Sequence, residues 1–213
     1  MLTTNIHYQP VYSNFPIQFH PQGIHGEIMN SLHSLLLDMI ERHCKVFYLR
    51  ADIRFPDNGI QYPHDNDLFE SFIADYKKSL QRKGIDLAYL YVREQNESIN
   101  HHQHLCLYYD GNKVHHFQNV LEEAQRIWSL KLNEPVNNGL VHYCTRNKDG
   151  SFIDNGIMLI RNGKDFNNNF SRIMYSSSYL AKTYSKNCVR PGVRQFNHSR
   201  IQNKLLPQGS LAV

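Results

Sequence analysis

His102 and His104 are separated by one residue within 102–109, a stretch of β-favouring residues bounded by polar turns. Alternate side chains of a strand share a face, so His102, His104, Cys106 and Tyr108 point one way. Gln103, Leu105, Leu107 and Tyr109 point the other. Two imidazoles at this spacing can grip one divalent ion from a rigid sheet. The leucine face is expected to pack under helices and the histidine face to stay open. Neighbouring His101 offers a second register. Glu94 ends the preceding strand, and a hairpin would bring it alongside His102 or His104. Two nitrogens and one oxygen leave positions for water and a phosphate oxygen, which suits Mg²⁺ or Mn²⁺ in phosphoryl chemistry better than structural zinc. The bland alternative for Glu94 is a surface pairing with Arg93 or a lysine. Glu97, in the loop, is a second acidic candidate.

A second group lies near the C-terminal end. On a helix, Tyr175 and Tyr179 are one turn apart on a single face, and Lys182 and Lys186 continue the row. A tyrosine hydroxyl with a free pKa of about 10 is a poor nucleophile. It needs a metal-polarised phosphate or a nearby cation, and Lys182 is placed to stabilise charge there. The bland alternative is rim aromatics and solvated lysines.

These residues need elements to hold them. Apolar residues at three- and four-residue steps predict helices over 25–43, 65–83 and 114–130, and a fourth over 170–186. Ser176, Ser177 and Ser178 weaken that last helix, so packing must support it. Strands are predicted over 45–54, 86–94 and 102–109. Residues 140–145 and 157–160 read as two strands or one interrupted strand. Strand–helix–strand–strand–helix–strand, with an extra helix at each end, is an α+β plan of the split βαβ, or ferredoxin/RRM-like, type: an antiparallel sheet covered by helices. Residues 1–24 read as an irregular lead-in, 25–186 as one domain with an added N-terminal helix, and 187–213 as a basic tail.

Composition sets bounds. The 213 residues suffice for a real core, and the four cysteines, with no CxxC pair, read as reduced and mostly buried thiols. Neither a secretory signal nor a membrane-length apolar run is visible, so a soluble intracellular protein is expected. The net charge of +4 permits nucleic-acid binding without demonstrating it. From Lys182 to Lys204 the chain carries cations and no acid, as either a solvated tail or a phosphate-tracking segment.

The order of parts resembles the HUH endonucleases, rolling-circle replication initiators with a histidine strand followed by a tyrosine helix. It is most similar to the prophage and plasmid proteins that resemble the gene-two replication protein of filamentous phages (inoviruses). The likeness spans roughly residues 30–190 and rests on Arg93-Glu94, His102-Gln103-His104 and Tyr179-Leu180-Ala181-Lys182. It implies an endonuclease that nicks single-stranded or supercoiled origin DNA in the cytoplasm of a bacterial host. His102, His104 and Glu94 would hold Mg²⁺ or Mn²⁺, Tyr179 would form a 5′-phosphotyrosine, and Lys182 would orient or neutralise the site. Tyr175 would be a second nucleophile, as in the two-tyrosine subclass. Lys186, Arg190, Arg194, Arg50 and Arg54 are candidate DNA contacts. Two features depart from the pattern. Gln103 stands where the family has a hydrophobic residue, and Arg50, Asp52 and Arg54 match its first motif loosely. With no GxxxxGK[ST] loop in the chain, strand separation would fall to a host helicase. Two rival readings are a non-catalytic RRM-like module stacking bases on Tyr89, Tyr91, Tyr108 and Tyr109, and an unrelated metal-dependent phosphodiesterase.

Overall fold

The computed structural model describes residues 5–95, 99–136, 139–146, 150–183 and 192–202. In chain order its elements are β1 (Ile6–His7), β2 (Val11–Tyr12), β3 (Phe15–Pro16), β4 (Ile24–His25), α1 (Gly26–Arg42), β5 (Lys45–Arg54), α2 (Asp67–Arg82) and β6 (Leu87–Glu94). They continue with β7 (His102–Asp110), α3 (Gln118–Leu132), β8 (Val141–Tyr143), β9 (Ile157–Ile160), α4 (Phe166–Ser178), a 3₁₀ turn (Tyr179–Ala181) and β10 (Phe196–His198).

The main sheet has the order β10-β6-β7-β5-β8, with β9 also on β5, and every pairing is antiparallel. β5 and β6 therefore run parallel with β7 between them, which is the split βαβ arrangement expected. α2 and α3 cover one face, where Phe72, Tyr76 and Trp128 meet Phe47, Leu49, Leu105 and Leu107. The indole of Trp128 is fully buried, and its N–H donates to the Arg54 carbonyl at 2.7 Å, so the large ring leaves no polar atom stranded.

The opposite face carries the histidines and is not open. α1 and α4 close it, with Leu32, Leu36, Phe170 and Ile173 packed on Tyr48, Leu90, Val92, Cys106 and Tyr108. α1 reads as fully core-facing on one stripe, and once α2 and α3 occupy one side of the sheet its stripe has only the other side to bury against. The result is three layers with the sheet in the middle.

Three other expectations are corrected. The N-terminal segment is not irregular: β1 pairs β4, β2 pairs β3, and Ile17 and Ile24 enter the core. The predicted tail contains β10, an edge strand on β6. The last helix stops at Ser178. There the hydroxyls of Ser177 and Ser178 donate back to the carbonyls of Met174 and Tyr175, competing with the helix ladder, and the chain tightens into the 3₁₀ turn.

β8 and β9 form one broken edge. In the gap the side chain of Asn155 replaces a strand: its Oδ1 accepts from the Arg50 N–H at 2.7 Å, and its Nδ2 donates to the carbonyls of Arg50 at 2.8 Å and Cys144 at 2.9 Å. Cys106 and Cys144 are buried free thiols, Cys44 is exposed, and Cys188 lies outside the described residues. Among the described residues no helix is long and apolar enough to cross a membrane.

Gln103 sits on the α2/α3 face of β7, fully buried, with neither atom of its amide hydrogen-bonded. A buried amide without partners costs about 1–3 kcal/mol. Gln103→Leu, which supplies the hydrophobic residue that alternation calls for, is expected to raise stability by about that amount in denaturant unfolding. An unchanged or lowered midpoint would show that the amide has a partner.

Candidate metal centre and tyrosine site

Register, more than sequence proximity, assembles the site. On β7, His102 stands opposite Glu94 of β6 and Arg54 of β5, while His104 stands opposite Val92 and Asp52. All of these side chains share the face covered by α1 and α4. The Nε2 atoms of His102 and His104 are 3.2 Å apart, and Glu94 Oε2 is 3.2 Å from His104 Nε2. Ligand atoms from all three lie within 4.8 Å of one another.

These separations fit a divalent ion. Octahedral bonds of about 2.0–2.1 Å put adjacent ligands about 3 Å apart, close to both measured edges. The set occupies one side of an ion and leaves the other side for water or substrate oxygens. The alternative register through His101 does not contribute: that ring is buried on the other face, edge-on to Phe55 at 4.8 Å. Glu97 lies outside the described residues.

Asp52, which the sequence placed only in a loose match to the family's first motif, completes the arrangement. Its carboxylate accepts from His104 Nδ1 at 2.5 Å, which fixes the ring and leaves Nε2 toward Glu94 and His102. Alternation along β5 places Asp52 on the right face, but only the strand register shows that it meets His104. Asp52→Asn is expected to weaken Mn²⁺ binding by roughly 10–100-fold, the usual effect of losing an outer carboxylate. Calorimetric titration checks this, and a change under threefold would remove Asp52 from the centre.

Protonation follows from surroundings. Burial and the neighbouring His104 hold His102 down to about 4, so its ring is neutral at neutral pH. Burial alone would lower His104 too, but the charge and hydrogen bonds of Asp52 and Glu94 outweigh it and raise the ring above its ordinary value. Asp52 is also buried, yet the His104 charge and hydrogen bond, with Arg50, hold its carboxyl well below the usual range.

Tyr179 leans over this centre from the 3₁₀ turn. Its ring is edge-on to His104 at 5.5 Å, with the Arg50 guanidinium 4.3 Å and Lys182 Nζ 3.7 Å from its centroid. Arg50 is also tied to the Ser176 carbonyl at 3.2 Å. Burial and the Glu94 charge push the Tyr179 hydroxyl up to about 12, with Arg50 pulling the other way. Lys182 Nζ lies 3.2 Å from Glu94 Oε2.

Of the expected row on one helix face, Tyr175, Tyr179 and Lys182 do not line up, because the helix ends between the tyrosines. Tyr179 turns inward, while the Tyr175 ring is 49 % exposed. Arg50 is buried against Tyr179, within the site rather than on an outer surface. Arg54 and Arg194 are exposed. Lys186 and Arg190 lie outside the described residues. Of the four aromatics of the RRM-like reading, Tyr91, Tyr108 and Tyr109 are fully buried under helices and Tyr89 is half-buried, so they do not form a stacking platform.

The family model described as YagK/YfjJ C-terminal domain matches residues 9–199, a span from before β2 to just past β10. A curated protein described as "Uncharacterized protein YagK", from Escherichia coli (strain K12), is 24% identical over 212 residues. The match covers 85% of this chain and 98% of that protein. No solved structure matches this chain.

Proposed function

We propose that this chain, which belongs to the YagK/YfjJ C-terminal domain family, is a replication-initiation endonuclease of the HUH type that nicks single-stranded or supercoiled origin DNA. It would act in the cytoplasm of a bacterial host, with a host helicase separating the strands. The observation that carries the reading is the placing of one tyrosine ring against a two-histidine, one-carboxylate cluster and two buried cations.

His102, His104 and Glu94 would hold Mg²⁺ or Mn²⁺, which when bound polarises a phosphate oxygen and offsets the Glu94 charge. Asp52 keeps His104 in the tautomer that presents Nε2. Tyr179 Oη attacks the phosphorus, the bond from oxygen to phosphorus forms, and the bond to the 3′ oxygen breaks. The phenolic proton ends on the departing 3′ oxygen, leaving a 5′-phosphotyrosine and a 3′-OH that primes synthesis. The reverse reaction rejoins strands. Arg50 and Lys182 supply positive charge to the pentacoordinate phosphate. Arg54 and Arg194 lie outside and suit the flanking backbone.

The test is covalent capture. Protein incubated with Mn²⁺ and single-stranded DNA containing its origin should give a denaturant-stable protein–DNA adduct that EDTA prevents. Metal-dependent cleavage without any adduct would favour the phosphodiesterase reading, with Tyr179 structural. Binding without cleavage, indifferent to loss of both histidines, would remove the enzymatic reading.

A further inference from the structure

We infer that Lys182 is a counter-cation built into the metal centre: it holds Glu94 in the ion-free protein and must leave for a DNA phosphate, so that ion and DNA bind cooperatively. This rests on the metal-centre reading above. Glu94 is 1 % exposed, and a carboxylate so buried needs a compensating charge. Lys182 contributes one beside the His104 ring, with Nζ 3.2 Å from the same Oε2 that lies 3.2 Å from His104 Nε2. The ammonium therefore stands on the oxygen that an ion would use.

The backbone there is pinned. Lys182 forms a bridge with Ile24, and the Thr183 hydroxyl donates to the carbonyls of Gln22 and Gly23, both at 3.0 Å. Beyond that backbone the four-carbon side chain lies along the Tyr179 ring. A divalent ion about 2.1 Å from Glu94 Oε2 would crowd an ammonium 3.2 Å from that atom. In a site shielded from water such like-charge repulsion is strong. The side chain then swings off Glu94 and along Tyr179, where the attacked phosphate is the anion to receive it. Without DNA the swing gives up the ion pair with Glu94 in a site shielded from water, which opposes ion binding. With DNA the ammonium gains a partner.

The experiment is a Mn²⁺ titration of the full chain, by calorimetry and by electron paramagnetic resonance of free Mn²⁺, with no turnover required. Without DNA, Lys182→Met is expected to bind Mn²⁺ at least tenfold more tightly than wild type, and Lys182→Arg to stay within threefold. Single-stranded oligo(dT) is expected to tighten Mn²⁺ binding by wild type at least fivefold and by Lys182→Met less than twofold. Lys182→Gln repeats the comparison if the methionine variant does not fold. Equal or weaker Mn²⁺ binding by the neutral variant overturns the inference. If instead wild type binds no Mn²⁺, or binds it equally after His102→Ala and His104→Ala together, the metal-centre reading itself has failed.

Discussion

Tyr179→Phe is expected to eliminate the covalent adduct, cutting strand transfer by more than about 10³-fold, while Tyr175→Phe leaves it essentially unchanged. The contrast comes from where the two rings sit. Tyr175 is half exposed on the last turn of α4, whereas Tyr179 lies beyond the helix end between His104, Arg50 and Lys182. Phenylalanine keeps the ring that both cations and His104 touch, so folding and Mn²⁺ affinity should match wild type and only the nucleophilic oxygen is lost. With burial and Glu94 pushing the hydroxyl up to about 12, Tyr179 is protonated in the ion-free protein. Adduct formation should therefore depend wholly on added metal, even with strong DNA binding. Gel analysis of the three proteins with labelled origin DNA checks this. An adduct from Tyr179→Phe and none from Tyr175→Phe would reassign the nucleophile.

What the sequence made legible divides along physical lines. Period alone located α1, α2, α3 and strands β5 to β7, because each buries one face and its composition says so. His102, His104 and Glu94 were visible because an i, i+2 pair and a hairpin partner are local. Asp52 was not, since its meeting with His104, 52 residues away, depends on the pairing of β5 with β7. The inward turn of Tyr179 was hidden for a related reason. Helical spacing predicts a continuous row, and only the back-bonding of Ser177 and Ser178 and the Ile24–Lys182 bridge end the helix. Two-residue ribbons such as β1 and β4 carry no period, so the N-terminal segment read as irregular. Asn155 acts as a strand through one amide, which no alternation pattern encodes.

Removing His104 is expected to lower Mn²⁺ affinity by well over the roughly 10–100-fold typical of an outer partner, because its Nε2 is central among the three donors. The pH dependence of wild type gives a finer test. His102, held down to about 4, brings no proton to be displaced at neutral pH. Asp52 and Glu94 raise His104 above its ordinary 6.5 despite burial, so His104 is the ring whose proton competes with the ion. Mn²⁺ affinity should thus climb about tenfold per pH unit below the raised value and level above it, with up to one proton released per ion. For the ion-free fold the sign is opposite. The raised His104 contributes stability that is full below 6.5 and lost as pH rises through its folded value. In Asp52→Asn the main raising influence is gone and burial pulls His104 down, so the affinity curve moves to lower pH. The loss caused by that variant should consequently be largest at alkaline pH and shrink toward acid, where the wild-type ion must compete with a proton that Asp52 itself holds in place. A loss that is constant from acid to alkaline pH would mean that Asp52 orients His104 without governing its proton.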